Sequence, residues 1–343
     1  MPREKALVER TTMRLRARLT AGIMTAGLLL TGCVGAPATN TSSPAADSSS
    51  AAYTPVTITN CGFEATFNEP PKAAVSLNQG ATEVMLGLGL EKQMVGTAYL
   101  DNDIAERWKA AYDSVPVLSD KYPSKEKFLE VKPDFAYASY TSAFTEKNIG
   151  TRDELKSEKV GTYLSPFGCT NEGDGSIPAT MEAAWGEVTD VARIFGVEDR
   201  STKLIEEQKA KLAELKQKAA GKDKKVLWYD SDEKSPFVGG GAGGPQIILD
   251  TIGATNVFAN VPKGWDNVSW EDVIKADPDY IVFADASWST AASKQAYMEA
   301  APALSQLKAV KNKAYITVPF SESTPGIRLV DGAEKVSEQI AKS

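Results

Sequence analysis

The chain of 343 residues contains no histidine. Imidazole is therefore excluded as general base, proton shuttle or metal ligand, and Ser-His-Asp and Cys-His catalysis go with it. Carboxylates remain as acid–base groups. Asp230 and Asp232, two apart in YDSD, are the pair a cleft enzyme would have to use, although neighbouring solvated acids explain them more simply. Gly239 to Gly244 (GGGAGG) satisfies G-x-G-x-x-G, yet residues 230–238 separate it from the preceding strand, whereas a dinucleotide fingerprint follows its strand directly. The loop enters a helix at Pro245, so it reads either as a backbone N–H site for an anion, with Gly241 at its centre, or as a mobile cleft lining. Arg328, in STPGIR, is the cation best placed for an anionic ligand group; its rival role is a salt bridge at a helix start. Neither a Walker lysine nor a G-x-S-x-G elbow occurs, and no metal site or resident cofactor is expected.

The elements that must position such residues follow from periodicity. Residues 53–60 and 63–67 alternate and read as a β-hairpin. Strands are expected at 74–77, 94–97, 135–138 and 160–164, with helices over 80–90, 104–112 and 179–195. The run 199–221 is the strongest helix, opening on Asp199 and closing on Gly221. Alternation then restarts, with strands at 226–229, 280–283 and 314–317 and helices at 245–252, 269–275, 294–300 and from 332. This is an α/β pattern of two Rossmann-like lobes with parallel sheets, joined by one long interdomain α-helix. Its parts are an N-terminal lobe over 53–198, the helix over 199–221 and a C-terminal lobe over 222–343.

Residues 13–18 (MRLRAR) are basic, and 19–31 are apolar but too short to span a bilayer as a stable helix. They end in Leu30-Thr31-Gly32-Cys33, which resembles the lipobox of bacterial lipoproteins. That likeness implies a signal peptide over 1–32, with Met1 or Met13 as its start, and lipidation of Cys33 on the extracytoplasmic face of the cell membrane. Residues 33–52 are small and polar and read as a flexible tether reaching roughly 23 Å. With Cys33 lipidated, only Cys61 and Cys169 remain of three cysteines, and an oxidising compartment makes them a disulfide. The net charge of −7 argues against nucleic acid and leaves the lipid as the membrane attachment.

Residues 76–90 (SLNQGATEVMLGLGL), 128–134 (FLEVKPD), 253–258 (GATNVF) and 268–282 (VSWEDVIKADPDYIV) stand in the same order as in one family. With them the chain, from about residue 54 onward, resembles the class III periplasmic-binding proteins that deliver iron–siderophores, haem and cobalamin to ABC importers. The likeness implies a ligand cleft between the lobes, a permease dimer with its ATPase subunits as partner, a monomeric receptor, and no catalysis. It further implies an acid on each lobe that docks into arginine pockets of the permease; these acids fall on Glu126 and Glu271. In such doubly wound sheets the loops after the strands line the crevice. The expected ligand contacts are Asn78, Gln79, Tyr99, Tyr122, Tyr140, Phe237, Gly241, Trp265, Trp288 and Arg328. Their aromatic faces suit a flat or macrocyclic chelate, an iron–siderophore or cobalamin. Residues 228–260 and PFSESTPGIR are also similar to an actinobacterial branch proposed to carry a deazaflavin-cofactor precursor, planar with an acidic tail. A cleft enzyme and a structural surface lipoprotein are the more distant alternatives.

If Glu126 and Glu271 dock, Glu126→Ala with Glu271→Ala leaves ligand binding intact and abolishes stimulation of the cognate transporter. Unchanged uptake in the double variant refutes the assignment.

Overall fold

The computed structural model describes residues 53–169 and 179–342; the lipobox cysteine, Cys33, and the 33–52 tether lie outside them. The chain opens on an antiparallel hairpin, β1 (Val56–Asn60) and β2 (Phe63–Phe67). Then follow β3 (Ala74–Leu77), α1 (Gln79–Gly87), β4 (Met94–Ala98), α2 (Glu106–Tyr112), β5 (Val117–Ser119), α3 (Lys125–Glu130), β6 (Phe135–Ala138), α4 (Arg152–Ser157), β7 (Gly161–Leu164) and α5 (Met181–Phe195). Strands β3 to β7 form a parallel sheet in the order β5-β4-β3-β6-β7. Burial on both faces is visible residue by residue. In β6, Phe135 and Tyr137 enter the core that α5 covers, while Ala136 and Ala138 enter the core on the opposite face.

A long helix, α6 (Glu198–Lys218), leads to the second lobe. There β8 (Lys225–Ser231), β9 (Phe237–Gly239), α7 (Gly244–Ile252), β10 (Thr255–Asn256), β11 (Trp265–Asn267), α8 (Trp270–Ala276), β12 (Tyr280–Asp285), α9 (Ala291–Ala300), α10 (Lys308–Lys311), β13 (Tyr315–Pro319) and α11 (Leu329–Ala341) follow in order. Strands β8, β10, β12 and β13 run parallel, and β9 and β11 add an antiparallel extension beside β8. Short β9 and β11 carry no long apolar alternation, so periodicity misses them; so too the brief β5, α3 and α4. The same two-sided burial recurs, with Val226 and Trp228 facing one core and Leu227 and Tyr229 the other.

At 1.5 Å per residue the 21-residue α6 is about 31 Å long. It starts at Glu198 without a side-chain cap and ends at Ala219 in the left-handed region rather than at Gly221. Arg200, near its start, donates to the carbonyls of Leu88 and Gly89 in the first lobe at 2.9 and 2.8 Å. Leu212 and Leu215, near its end, enter the second lobe's core. Midway, the Gln208 amide accepts from the Trp185 indole at 2.8 Å and donates to the Ile327 carbonyl at 2.8 Å. Each end of α6 is thus bonded to a different lobe.

Cys61 and Cys169 form a disulfide with Cα atoms 5.4 Å apart, closing a sequence separation of 108 residues. Next to it, Asn60 caps the end of β7 in both directions: its amide donates to the Leu164 carbonyl at 2.7 Å and its oxygen accepts the Leu164 N–H at 2.8 Å. A closed loop of this length removes enough unfolded-chain entropy to contribute about 5 kcal/mol. Reduction with dithiothreitol, or Cys61→Ser with Cys169→Ser, should lower the denaturant midpoint by that equivalent. An unmoved midpoint would show that the bond contributes nothing.

Candidate functional site

A cleft of about 500 Å³ opens between the lobes. Its first wall is built where parallel strands end: Gln79 and Gly80 after β3, Asp101 after β4, Ser139 and Tyr140 after β6, Ser165 and Phe167 after β7. Its second wall carries Asp230 at the end of β8, Phe237 on β9, Trp265 on β11, Trp288 after β12 and Phe320 after β13. Carboxyl ends of parallel strands gather there because every crossover returns the chain to the opposite edge. Apolar ring faces dominate. Phe237 stacks on Trp265 with centroids 6.1 Å apart, and Phe320 meets Trp265 at 6.2 Å and Trp288 at 5.4 Å.

An adjoining recess shares Asp101, Tyr140, Trp288 and Phe320 with the cleft and adds Asn78, Tyr99, Lys121, Tyr122 and Ser142. Here the Tyr122 hydroxyl donates to the Asn78 side-chain oxygen at 3.1 Å, and its ring lies 4.7 Å from that of Tyr99. Lys121 covers the Tyr99 ring at 4.4 Å. Five expected contacts therefore line the cleft (Gln79, Tyr140, Phe237, Trp265, Trp288) and three line the recess (Asn78, Tyr99, Tyr122). Gln79 also shapes the site: its side-chain oxygen accepts the N–H groups of Asp101 and Asn102, both at 3.2 Å, holding the loop that presents Asp101.

Arg328 and Gly241 correct the expectation. Arg328 is only 7% exposed and is absent from the cleft lining. Its guanidinium binds Glu83 of α1 at 2.8 Å, Glu322, and Asp331 at 2.7 Å. Lys335 completes Glu322 at 2.8 Å, and Arg107 reaches Asp331 from the first lobe at 2.8 Å. The charge is spent on holding the lobes together. Burial pulls Arg328 down, but its three acid neighbours outweigh this and raise it above its ordinary value. Glu83 is pushed above the usual carboxylate range by burial, against the pull of Arg328.

The glycine loop is likewise structural. The N–H groups of Gly240, Gly241 and Ala242 donate to the carbonyls of Gly264, Val261 and Lys263 at 2.9, 2.9 and 3.2 Å, leaving none of the three for an anion. Close backbone approach demands the glycines: a Cβ at Gly241 would sit 2.1 Å from the Ala259 carbonyl oxygen, and one at Gly244 2.0 Å from that of Ser323. Gly241 faces instead a groove with Met181, Trp185 and Gln246. Asp232 is also removed from the chemistry. Its carboxylate caps a turn, accepting from the N–H groups of Lys234 and Ser235, and is exposed while Asp230 is buried.

Also lining the cleft are Asp101, Ser139 and Ser165, which sequence reasoning did not single out, and Phe167 and Phe320, which it placed among the loop aromatics without favouring them. Nothing local distinguishes them; the β-α order only says that their loops lie at strand ends. Burial raises Asp101, against Lys121 and a hydrogen bond from Trp288 across the cleft, and raises Asp230, against Ser231 and Lys294. Lys294, buried behind Asp230, donates to the carbonyls of Asp230, Ala284 and Ser289 and is pulled down to about 8 by burial. Behind Ser165 of the first wall, burial pushes Glu187 up to about 7 against hydrogen bonds with Tyr137 and Ser165. Glu126 and Glu271 lie exposed in the first turns of α3 and α8, one per lobe. Among the described residues no group of acids or cysteines has metal-holding geometry, and no helix is long and apolar enough to cross a membrane.

The family model for periplasmic binding protein matches residues 75–322. The chain is 26% identical over 334 residues to an uncharacterized ABC transporter substrate-binding lipoprotein, YvrC, of Bacillus subtilis, covering 96% of this chain and 98% of that protein. It is 23% identical over 214 residues to a vitamin B12-binding protein of Vibrio parahaemolyticus, covering 62% of this chain and 71% of the relative. Among solved structures, a periplasmic binding protein from Veillonella parvula superposes with a TM-score of 0.73 at 33% identity, covering 84% of this chain and 98% of that one.

Removing one member of a buried ion cluster leaves the others uncompensated, at a cost of about 3 to 5 kcal/mol. Arg328→Ala should therefore destabilise the fold by that much in denaturant unfolding. A change under about 1 kcal/mol would show that the cluster does not hold the lobes.

Proposed function

Because the chain belongs to the periplasmic binding protein family, we propose that it is the extracytoplasmic substrate-binding lipoprotein of an ABC importer. It takes up a metal chelate of the iron–siderophore or cobalamin type between its lobes and delivers it to the permease and its ATPase subunits. The observation that carries this reading is the cleft itself, walled from both lobes by strand-end loops and lined with aromatic rings. A volume of about 500 Å³ suits part of a chelate, with the remainder projecting at the mouth beside Tyr140 and Trp288, which are 40% and 50% exposed. The likeness to a vitamin B12-binding protein supports the corrinoid member of this class, and the lipoprotein relative supports anchoring through Cys33.

Docking through Glu126 and Glu271 fits the same reading. Both carboxylates are free of ion pairs among the described residues and stand at helix starts, where the dipole favours acids. One lies on each lobe, so they can engage two permease subunits together. Family and neighbours are binding proteins, and Asp232, the partner a carboxylate pair would need, caps a turn away from Asp230. The deazaflavin precursor is less well served, since Arg328 is paired and the N–H groups of Gly240, Gly241 and Ala242 are bonded to backbone carbonyls.

Native mass spectrometry and a visible spectrum of the protein purified from its own host provide the test. A co-purifying corrinoid or ferric chelate is the expected result. A colourless protein whose unfolding temperature is unmoved by cobalamins and ferric siderophores would overturn the reading.

A further inference from the structure

Every charged side chain that lines the cleft among the described residues is an acid: Asp101 from the first lobe and Asp230 from the second. Asp230, on the second wall, is only 2% exposed. One carboxylate oxygen accepts from the Ser231 hydroxyl at 2.8 Å, and the other is buried without a hydrogen-bond partner among the described residues. Native proteins rarely leave such an atom unmatched unless something else completes it. Lys294 does not do so, because its ammonium is consumed by the three backbone carbonyls behind Asp230. Lys121 lies in the recess, over the Tyr99 ring on the Asp101 side.

Asp101 faces the cavity from a loop pinned at both ends. Its N–H is held by Gln79. The neighbouring Asn102 bridges to the second lobe, donating to the Asp285 carbonyl at 2.9 Å and accepting the Ser321 N–H at 3.0 Å. The two carboxylates are thus set on opposite walls, and the Tyr140 hydroxyl feels both. Around them the lining is aromatic, offering ring faces that attract cations as well as planar apolar bodies. An anion entering this space would meet two acids and no lining base. A cation would satisfy an unpaired oxygen, and its attraction to a buried carboxylate is stronger than it would be in bulk water.

We propose that the ligand presents a cationic nitrogen group to Asp101 and Asp230, with its apolar body against Tyr140, Phe237, Trp265 and Trp288, so that the protein selects chelates bearing an ammonium and rejects those bearing a free carboxylate or phosphate at that end. The inference rests on the receptor reading and adds to it the charge of the cargo.

The test uses the full-length chain and matched probes. Ferrioxamine B, a ferric trihydroxamate with a free ammonium, is compared with its N-acetyl and N-succinyl forms, which are neutral and anionic at the same position. An aminoalkyl cobalamin and its N-acetyl and N-succinyl forms make a second series. In whichever series binds, the ammonium form should bind at least tenfold more tightly than the acetyl form, with the succinyl form weakest. Asp101→Asn with Asp230→Asn should bring the three within about threefold of one another. The single variant Asp101→Asn, on a half-buried loop, should lose part of the preference if the double variant unfolds. Equal binding by all forms, tightest binding by the succinyl form, or a preference unchanged in the variants overturns the charge assignment while leaving the receptor reading in place. No binding by any form of either series overturns both.

Discussion

One guanidinium governs how this molecule is put together. Arg328 lies on the second lobe, yet its partners include Glu83 on α1 of the first, and Arg328, Glu83 and Glu322 are all buried. Desolvating an arginine and two glutamates is costly, and only their mutual attraction at short range offsets that cost. Glu322 and Asp331 neutralise what Glu83 alone could not, and Lys335 and Arg107 complete the balance. Immediately before Arg328, Ile327 plugs into the first lobe's apolar core and lends its carbonyl to Gln208 of α6. The segment from Phe320 to Arg328 is therefore fixed by both lobes at once.

The cleft inherits its shape from this joint. Phe320, Thr324 and Pro325 reach the cavity because the same segment is clamped at its end. The helix α6 adds a second restraint, since its two ends are bonded to different lobes. Bending it would break backbone hydrogen bonds that a loop hinge would not lose. Both restraints oppose bending of the joint, and the cleft walls are what they hold in place. Those walls offer aromatic faces and carboxylates.

The joint also accounts for the cleft's electrostatics. An arginine in the STPGIR loop is the one basic residue the sequence offers there, and the fold draws it inward to meet Glu83. The glycines of GGGAGG are drawn the same way, toward the 259–264 backbone and the Ser323 carbonyl, where no side chain would fit. Both features resemble anion-binding chemistry on paper. In the folded chain both are construction, and the carboxylates of Asp101 and Asp230 are left facing the cavity.

Period-2 runs and helical stripes made β3, β6, β8 and β12 and the long α6 legible from sequence, because each buries a regular set of apolar side chains. The absence of histidine excluded whole classes of catalysis. The ordered motifs, with the lipobox ahead of them, led to the family. The short β5, β9 and β11 were not legible, since three residues carry no period and depend on a neighbouring strand for their hydrogen bonds. The strand-end loops were locatable, and with them Tyr140, Trp265 and Trp288. The partners of Arg328 were not, because Glu83 and Arg328 are separated by 245 residues, and neither was the burial of Asp230 at the cleft wall. Local sequence decides which elements form, through propensity and burial. Which charges are spent inside the fold and which remain to meet a ligand is decided only when distant segments compete for them in three dimensions.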